Sequence, residues 1–209
     1  MNKAGAVTCL LLLSISCAYY DGKVVDINSV EISAEVVSDI ANEVGKPYQL
    51  FIRENWISDK AAGNVGMART DTIRNGLFFP RIDEKTAISL RNRYKKREEF
   101  RNKYIFLSAA TFTGSGLAYD VVIVSANNQF QVLKIMNTHG LRDGIGHDQI
   151  FEFITDLHDK NPLEIYHLEE DKISLTLDQA PDQRTKDAIA AICPNYELNR
   201  KDLQMYWPR

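Results

Sequence analysis

The chain has 209 residues, 44% hydrophobic and 25% charged. That balance belongs to a soluble globular protein, not to a disordered, collagen-like or coiled-coil chain. Its 25 Lys and Arg against 28 Asp and Glu give a net charge of −3, which argues against a nucleic-acid binder driven by bulk charge. No apolar run approaches the roughly 20 residues that cross a bilayer as a helix, and no motif commits the chain to one chemistry.

The first informative stretch is the N-terminus. Lys3 precedes a short apolar core that includes Cys9 and Leu10 to Leu13, and small residues follow. This is the layout of a bacterial secretory signal over residues 1–16. Two processing readings stand side by side. Ile15-Ser16-Cys17 resembles a bacterial lipobox, with Ser14 where an aliphatic residue is usual, and makes Cys17 a lipidated N-terminus. Alternatively, Ser16-Cys17-Ala18 is a small-x-small site cut before Tyr19. Either reading places the mature chain outside the cytoplasm, as a lipoprotein of the periplasm or outer membrane or as a secreted protein. The third cysteine, Cys193, is then alone, so no internal disulfide forms. It shares a helical face with Ile189 and reads as buried and inert.

The mature chain reads as α+β, with a helix and strand segment over 17–84 packed on a main domain over 85–209. Ser33 to Val44 has an N-cap, an apolar stripe of Val36, Val37, Ile40 and Val44, and a stop at Gly45. Tyr48 to Arg53 reads as a short strand. Residues 54–84 give weak signals: glycines that suggest loops, and Leu77-Phe78-Phe79-Pro80 as an apolar plug. Glu84 to Lys103 reads as a helix with a basic face. Tyr104 begins a strand, Gly114-Ser115-Gly116 is a turn, and Tyr119 to Ser125 has the β-branched run of a strand buried on both faces. Asn127-Asn128 reads as a turn, with Phe130 to Met136 returning as its hairpin partner. The loop Thr138 to Gly146 leads into a helix from His147 to His158. Leu163 to Leu168 and Lys172 to Leu177 form a second hairpin. Asp182 caps a last helix that ends near Cys193-Pro194, and Leu203 to Trp207 adds a terminal strand. The order β-β-α-β-β-α-β implies a mostly antiparallel sheet with helices packed on it.

Charge is unevenly spread. Residues 91–103 hold seven basic and two acidic side chains, net +5, and residues 143–187 hold twelve acidic and four basic, net −8. Such patches raise on-rates and set specificity toward a partner of opposite charge. The histidines His139 and His147 flank a loop that contains Arg142 and Asp143, with Asp148 close behind. These five are the candidate binding residues. No H-x-x-x-H pair, HExxH or cysteine partner accompanies them, so neither a metal site nor any cofactor is expected. Ser115 does not sit in a nucleophile elbow, and no phosphate loop occurs. No residue stands out as a catalytic group.

Three features carry a family resemblance. Tyr104-Ile105-Phe106-Leu107-Ser108 precedes the apolar strand Asp120 to Val124. Asn128 to Ile135 leads to Thr138-His139-Gly140. Cys193-Pro194-Asn195 is followed by the aromatic end Leu203 to Trp207. From about Lys85 to Trp207 the chain thereby resembles the uncharacterised bacterial family called domain of unknown function 4253. It departs at Arg142-Asp143, where that family has Asn-Tyr, and at Asn195, where it has Asp. The resemblance implies one compact α+β module and brings no activity with it.

Two functional expectations follow. The first is a non-enzymatic binding protein of the cell envelope, of the kind that neutralises a secreted toxin or effector (an immunity protein). Its partner is a protein; nucleic acid is not expected, and the membrane is reached only through an N-terminal lipid. The alternative is an envelope hydrolase or small-ligand-binding protein that uses the 138–148 loop.

Overall fold

The computed structural model describes residues 25–27, 30–58, 67–140 and 143–207. The signal segment, Cys17 and Arg142 lie outside the described residues. Within them an eight-stranded, mostly antiparallel sheet carries helices on its faces, an α+β fold. A small hairpin, β1 (Val25–Ile27) with β2 (Val30–Ile32), stands ahead of it.

Helix α1 (Ala34–Val44) begins where the Ser33 hydroxyl accepts the Val36 N–H and ends at Gly45 in the left-handed region. Strands β3 (Gln49–Ser58) and β4 (Met67–Asp83) pair next. The expected apolar plug at 77–80 is therefore part of a 17-residue strand. Leu77 and Phe79 are fully buried against α1 and against α2 (Glu84–Tyr94).

The helix expected over 84–103 ends at Tyr94, and a 3-10 turn follows at Glu98–Phe100. Tyr94 and Phe100 are both buried, with ring centroids 5.5 Å apart. Residues six apart on a continuous helix lie about 120° apart around its axis, so breaking the helix is what lets both rings enter one core.

Strands β5 (Lys103–Thr113) and β6 (Gly116–Ser125) form the next hairpin. Val122 and Val124 face one core, and Val121 and Ile123 face the other. This is the two-sided burial that the unbroken β-branched run requires.

Residues 129–136 correct the expected hairpin strand. They form helix α3 (Gln129–Met136). The Asn128 carboxamide oxygen accepts the N–H groups of Phe130 and Gln131, so what reads as a turn asparagine is an N-cap. Val132, Leu133, Ile135 and Met136 are buried, while Gln131 and Lys134 are exposed. That spacing fits one helical face and not strand alternation.

The remaining elements are α4 (His147–Lys160), β7 (Leu163–Leu168), β8 (Lys172–Leu177), α5 (Gln183–Ile192), β9 (Tyr196–Asn199) and β10 (Asp202–Tyr206). Apart from α3, which stands where a strand is expected, and the added β9, these elements follow the expected order. The strand order across the sheet is β3-β4-β6-β5-β7-β8-β10-β9. Helices α3, α4 and α5 cover one face of it, and α1 and α2 cover the other over β4, β6 and β5.

The two halves of the sheet meet at one parallel junction, between β5 and β7, where Leu107 and His167 form the ladder pair. Side chains bond further backbone groups of β7 along this seam. Gln129 donates to Leu163 O and accepts the Ile165 N–H, both at 2.8 Å. Tyr104 and Arg91 donate to Ile165 O at 2.8 and 3.1 Å, and Ser108 donates to Leu168 O at 2.8 Å. The Gln129 amide thus stands in for a strand neighbour. Glu164 adds an ion pair to Arg91 at 2.5 Å and to Lys95 at 2.6 Å.

Candidate functional site

The loop between α3 and α4 is held by its backbone. Thr138 is buried and donates its hydroxyl to Glu169 O at 2.7 Å. The His139 N–H donates to Glu170 O at 2.7 Å, and Gly140 forms an isolated bridge with Ile145. Gly140 lies flat on the buried Trp207 ring: a Cβ there would sit 2.4 Å from Trp207 Cδ1. The His147 ring packs on Phe151, and its Nδ1 lies 3.2 Å from Thr138 O. Asp143 is exposed, with its N–H on Gly140 O. The described bonds of this loop thus serve packing, and none joins the side chains of His139, Asp143 and His147. Among the described residues no group of three His, Cys, Asp or Glu is placed to hold a metal ion. Cys193 is buried at the end of α5, and burial pushes its thiol pKa up.

The acidic segment resolves into a defined surface. Asp148, Glu152, Asp156 and Asp159 are spaced by four, four and three residues along α4, and all four are exposed. That spacing places them in one stripe, opposite the buried Ile150, Ile154 and Leu157. Asp148 in the first turn complements the helix dipole. Glu152 works against the helix, because it stands four residues from both Asp148 and Asp156 and like charges at that spacing destabilise a helix by about 0.2–0.5 kcal/mol per pair, whereas Asp156 has Lys160 four residues on. Beside the stripe, Phe153, Asp156 and Leu157 of α4 face Pro181, Asp182 and Ala188 across a cleft of about 560 Å³. Asp182 caps α5, and its hydrogen bonds from Thr185 hold its carboxyl below the ordinary range.

One titratable cluster has no counterpart in the sequence reading. His167 is 2% exposed, with Nε2 2.8 Å from Glu169 Oε1 and Nδ1 3.4 Å from Ser174 Oγ. Its ring stands edge-on to Tyr119, and Glu169 also accepts the Ala110 N–H at 3.1 Å. The order serine, histidine, carboxylate invites a nucleophilic reading. Burial argues against it: Ser174 is itself 2% exposed. Both ring nitrogens of His167 are partnered, Nε2 with Glu169 and Nδ1 with Ser174, so the imidazole is fully engaged in the interior. The cluster is a brace beside the seam. Its register depends on a bulge between Ile165 and His167, and strand alternation gives no sign of that bulge.

Comparison with protein-family models, curated proteins and solved structures finds no match, so the functional reading rests on the chemistry of these surfaces.

Proposed function

We propose that this chain is a non-enzymatic binding protein of the cell envelope, reached through its N-terminal signal, that docks a basic protein partner on the acidic face of α4. An immunity protein that covers a secreted effector is the specific form we favour. The observation that carries the proposal is the exposed stripe Asp148–Glu152–Asp156–Asp159, because a helix surface that costs its own fold stability suits an outside partner of opposite charge. The kinship with domain of unknown function 4253 belongs to the same proposal. Of the residues that carry the resemblance, Cys193 closes α5 and the aromatic end forms β10 and the buried Trp207.

The test is charge reversal. A tagged mature chain is used to recover and identify the partner from producing cells. Binding is then measured for wild type and for Glu152→Lys with Asp156→Lys, at low and physiological salt. The lysine introduced at position 152 would gain Asp148 one turn away and the one at position 156 would oppose Lys160, so the variant is expected to stay within about 0.5 kcal/mol of wild type in urea while its association rate falls at least tenfold. Equal association rates would end the acidic-face reading.

A further inference from the structure

The two edges of the sheet are unlike. Strand β9 closes one side with four residues, Tyr196–Asn199, and Pro194 stands two residues before it. Strand β3 closes the other with ten, Gln49–Ser58, and among the described residues no strand pairs with its outer side. Short strands, prolines, bulges and lysines are the usual protection of an edge. Strand β3 has none of these, and its charged residues, Arg53 and Glu54, are adjacent and opposite in sign. Both register shifts of the β3–β4 ladder add a residue to β4: Phe51–Gly76 is followed by Arg53–Ile73, and Asn55–Asp71 by Trp56–Arg69. The inner strand is bulged, and the edge strand keeps its alternation.

The β3–β4 ribbon also outruns the sheet. The last β4–β6 pair at this end is Gly76 with Val124, so among the described residues β4 pairs only with β3 over 67–75. The β1–β2 hairpin comes close to β4 but pairs only with itself. Residues 53–58 of β3, about 20 Å of strand at the usual rise, therefore stand in a two-stranded ladder. Two strands alone are marginally stable in water, and a third is what steadies them.

We infer that β3 pairs antiparallel with β3 of a second copy of this chain, making one continuous sheet across a two-fold axis at Glu54. The strand's own sequence chooses this occupant. A two-fold axis normal to the sheet keeps every residue on its own face, so the axis passes through a residue and not between two. About Glu54 the register sets Ile52 opposite Trp56 of the second copy, Phe51 opposite Ile57, Leu50 opposite Ser58 and Arg53 opposite Asn55. Aromatic and β-branched residues are favoured cross-strand partners. A register about Arg53 sets Ile52 against Glu54 and Phe51 against Asn55. One about Asn55 sets Trp56 against Glu54 and Ile57 against Arg53. Of these central registers, only that about Glu54 sets Phe51, Ile52, Trp56 and Ile57 all opposite apolar residues. Its unfavourable pair is Glu54 with its own copy, like charges directly opposite. Such an isologous contact closes at two chains, and it is independent of the reading of α4.

The experiment places Glu54→Cys and, separately, Arg53→Cys in the full chain with Cys17→Ala, which keeps a lipid from the N-terminus, and oxidises both mildly in solution. Directly opposite Cα atoms of an antiparallel ladder lie about 4.5–5.5 Å apart, within disulfide reach. Position 54 meets that condition in the inferred dimer, whereas position 53 stands roughly 8 Å from its copy, beyond it. Cys193 is buried and stays out of the reaction. The expected result is a disulfide-linked dimer that forms at least tenfold faster from Glu54→Cys than from Arg53→Cys. The Cys17→Ala parent sediments as a dimer, and Glu54→Gln, which removes the like charges, associates about two- to fivefold more tightly. Equal linking rates at the two positions would overturn the inference, because the copies would then meet elsewhere or in no fixed register. A parent chain and a Glu54→Gln variant that both sediment as monomers at every concentration would overturn it in favour of another segment of the chain, or another protein, on this edge.

Discussion

At Gly140 the chain has no room for a side chain. Its φ is not in the left-handed region, so the constraint is steric and comes from Trp207, whose Nε1 donates to Ile192 O at 3.1 Å. Gly140→Ala must push that ring off its seat. Overpacking of this kind costs about 1–3 kcal/mol, and a urea titration read by Trp fluorescence is expected to show it. An unchanged midpoint would mean that Trp207 is not held as described. The same residue explains why the 138–148 loop attracts a functional reading. Its glycines, histidines and aspartates are a turn vocabulary shared by sites and by tight joints, and only the ring of Trp207, 67 residues away in sequence, shows that this turn is a joint.

Among the elements, α3 carries more than its eight residues suggest. Gln129 in its first turn closes both open bonds of β7 at the seam. Gln129→Ala would strip partners from Leu163 O and Ile165 N–H, and unsatisfied buried backbone groups cost about 1–3 kcal/mol. We expect lower stability with the cooperative transition intact, and faster amide exchange at Ile165. Protection equal to wild type would mean that Gln129 is dispensable. How legible each element is follows from where its information lies. The β7–β8 hairpin is read residue for residue, because alternation and the Glu169-Glu170-Asp171 turn are local. Helix α3 is misread because Asn128 suits a turn and a cap equally, and eight residues are too few for periodicity to decide. Strand β4 is missed because Thr70, Asp71, Thr72, Arg74 and Asn75 interrupt any apolar pattern. The acidic excess over residues 143–187 is legible in the sequence, and its gathering into one stripe follows from the placing of α4. The His167 brace is not, because its members meet across a bulge and a strand pairing.

For the whole molecule, acid is the expected route to unfolding. Burial raises the pKa of Glu164, but hydrogen bonds from Lys95 and the charge of Arg91 outweigh it, and the net direction is downward from an ordinary value of 4.5. Glu169 follows the same course: burial raises it, and the bond and charge of His167 with the Ala110 N–H bring it below 4.5. A carboxylate whose folded pKa is depressed contributes stability in full above its unfolded value. That stability is lost as pH falls through the folded value. Asp120, raised mainly by burial, works the other way and gains on acidification. Urea midpoints measured between pH 6 and pH 3 are therefore expected to fall below about pH 4.5, and to fall less steeply in Glu169→Gln. Parallel curves for the two proteins would show that the Glu169 brace does not set the acid limb.

The seam also orders the assembly of the chain in time. Strands β5 and β6, like β7 and β8, are sequence neighbours joined by short turns, and they can pair as soon as they are made. The ladder pair Leu107–His167 spans 60 residues, further than any other pairing in the sheet. Closing that span carries the largest loop entropy, and it is returned only once α3 has delivered Gln129 to β7. Long-range closure of this kind slows folding. The halves are thus set to form early and to join late, with the union of β5 and β7 as the final commitment of the fold.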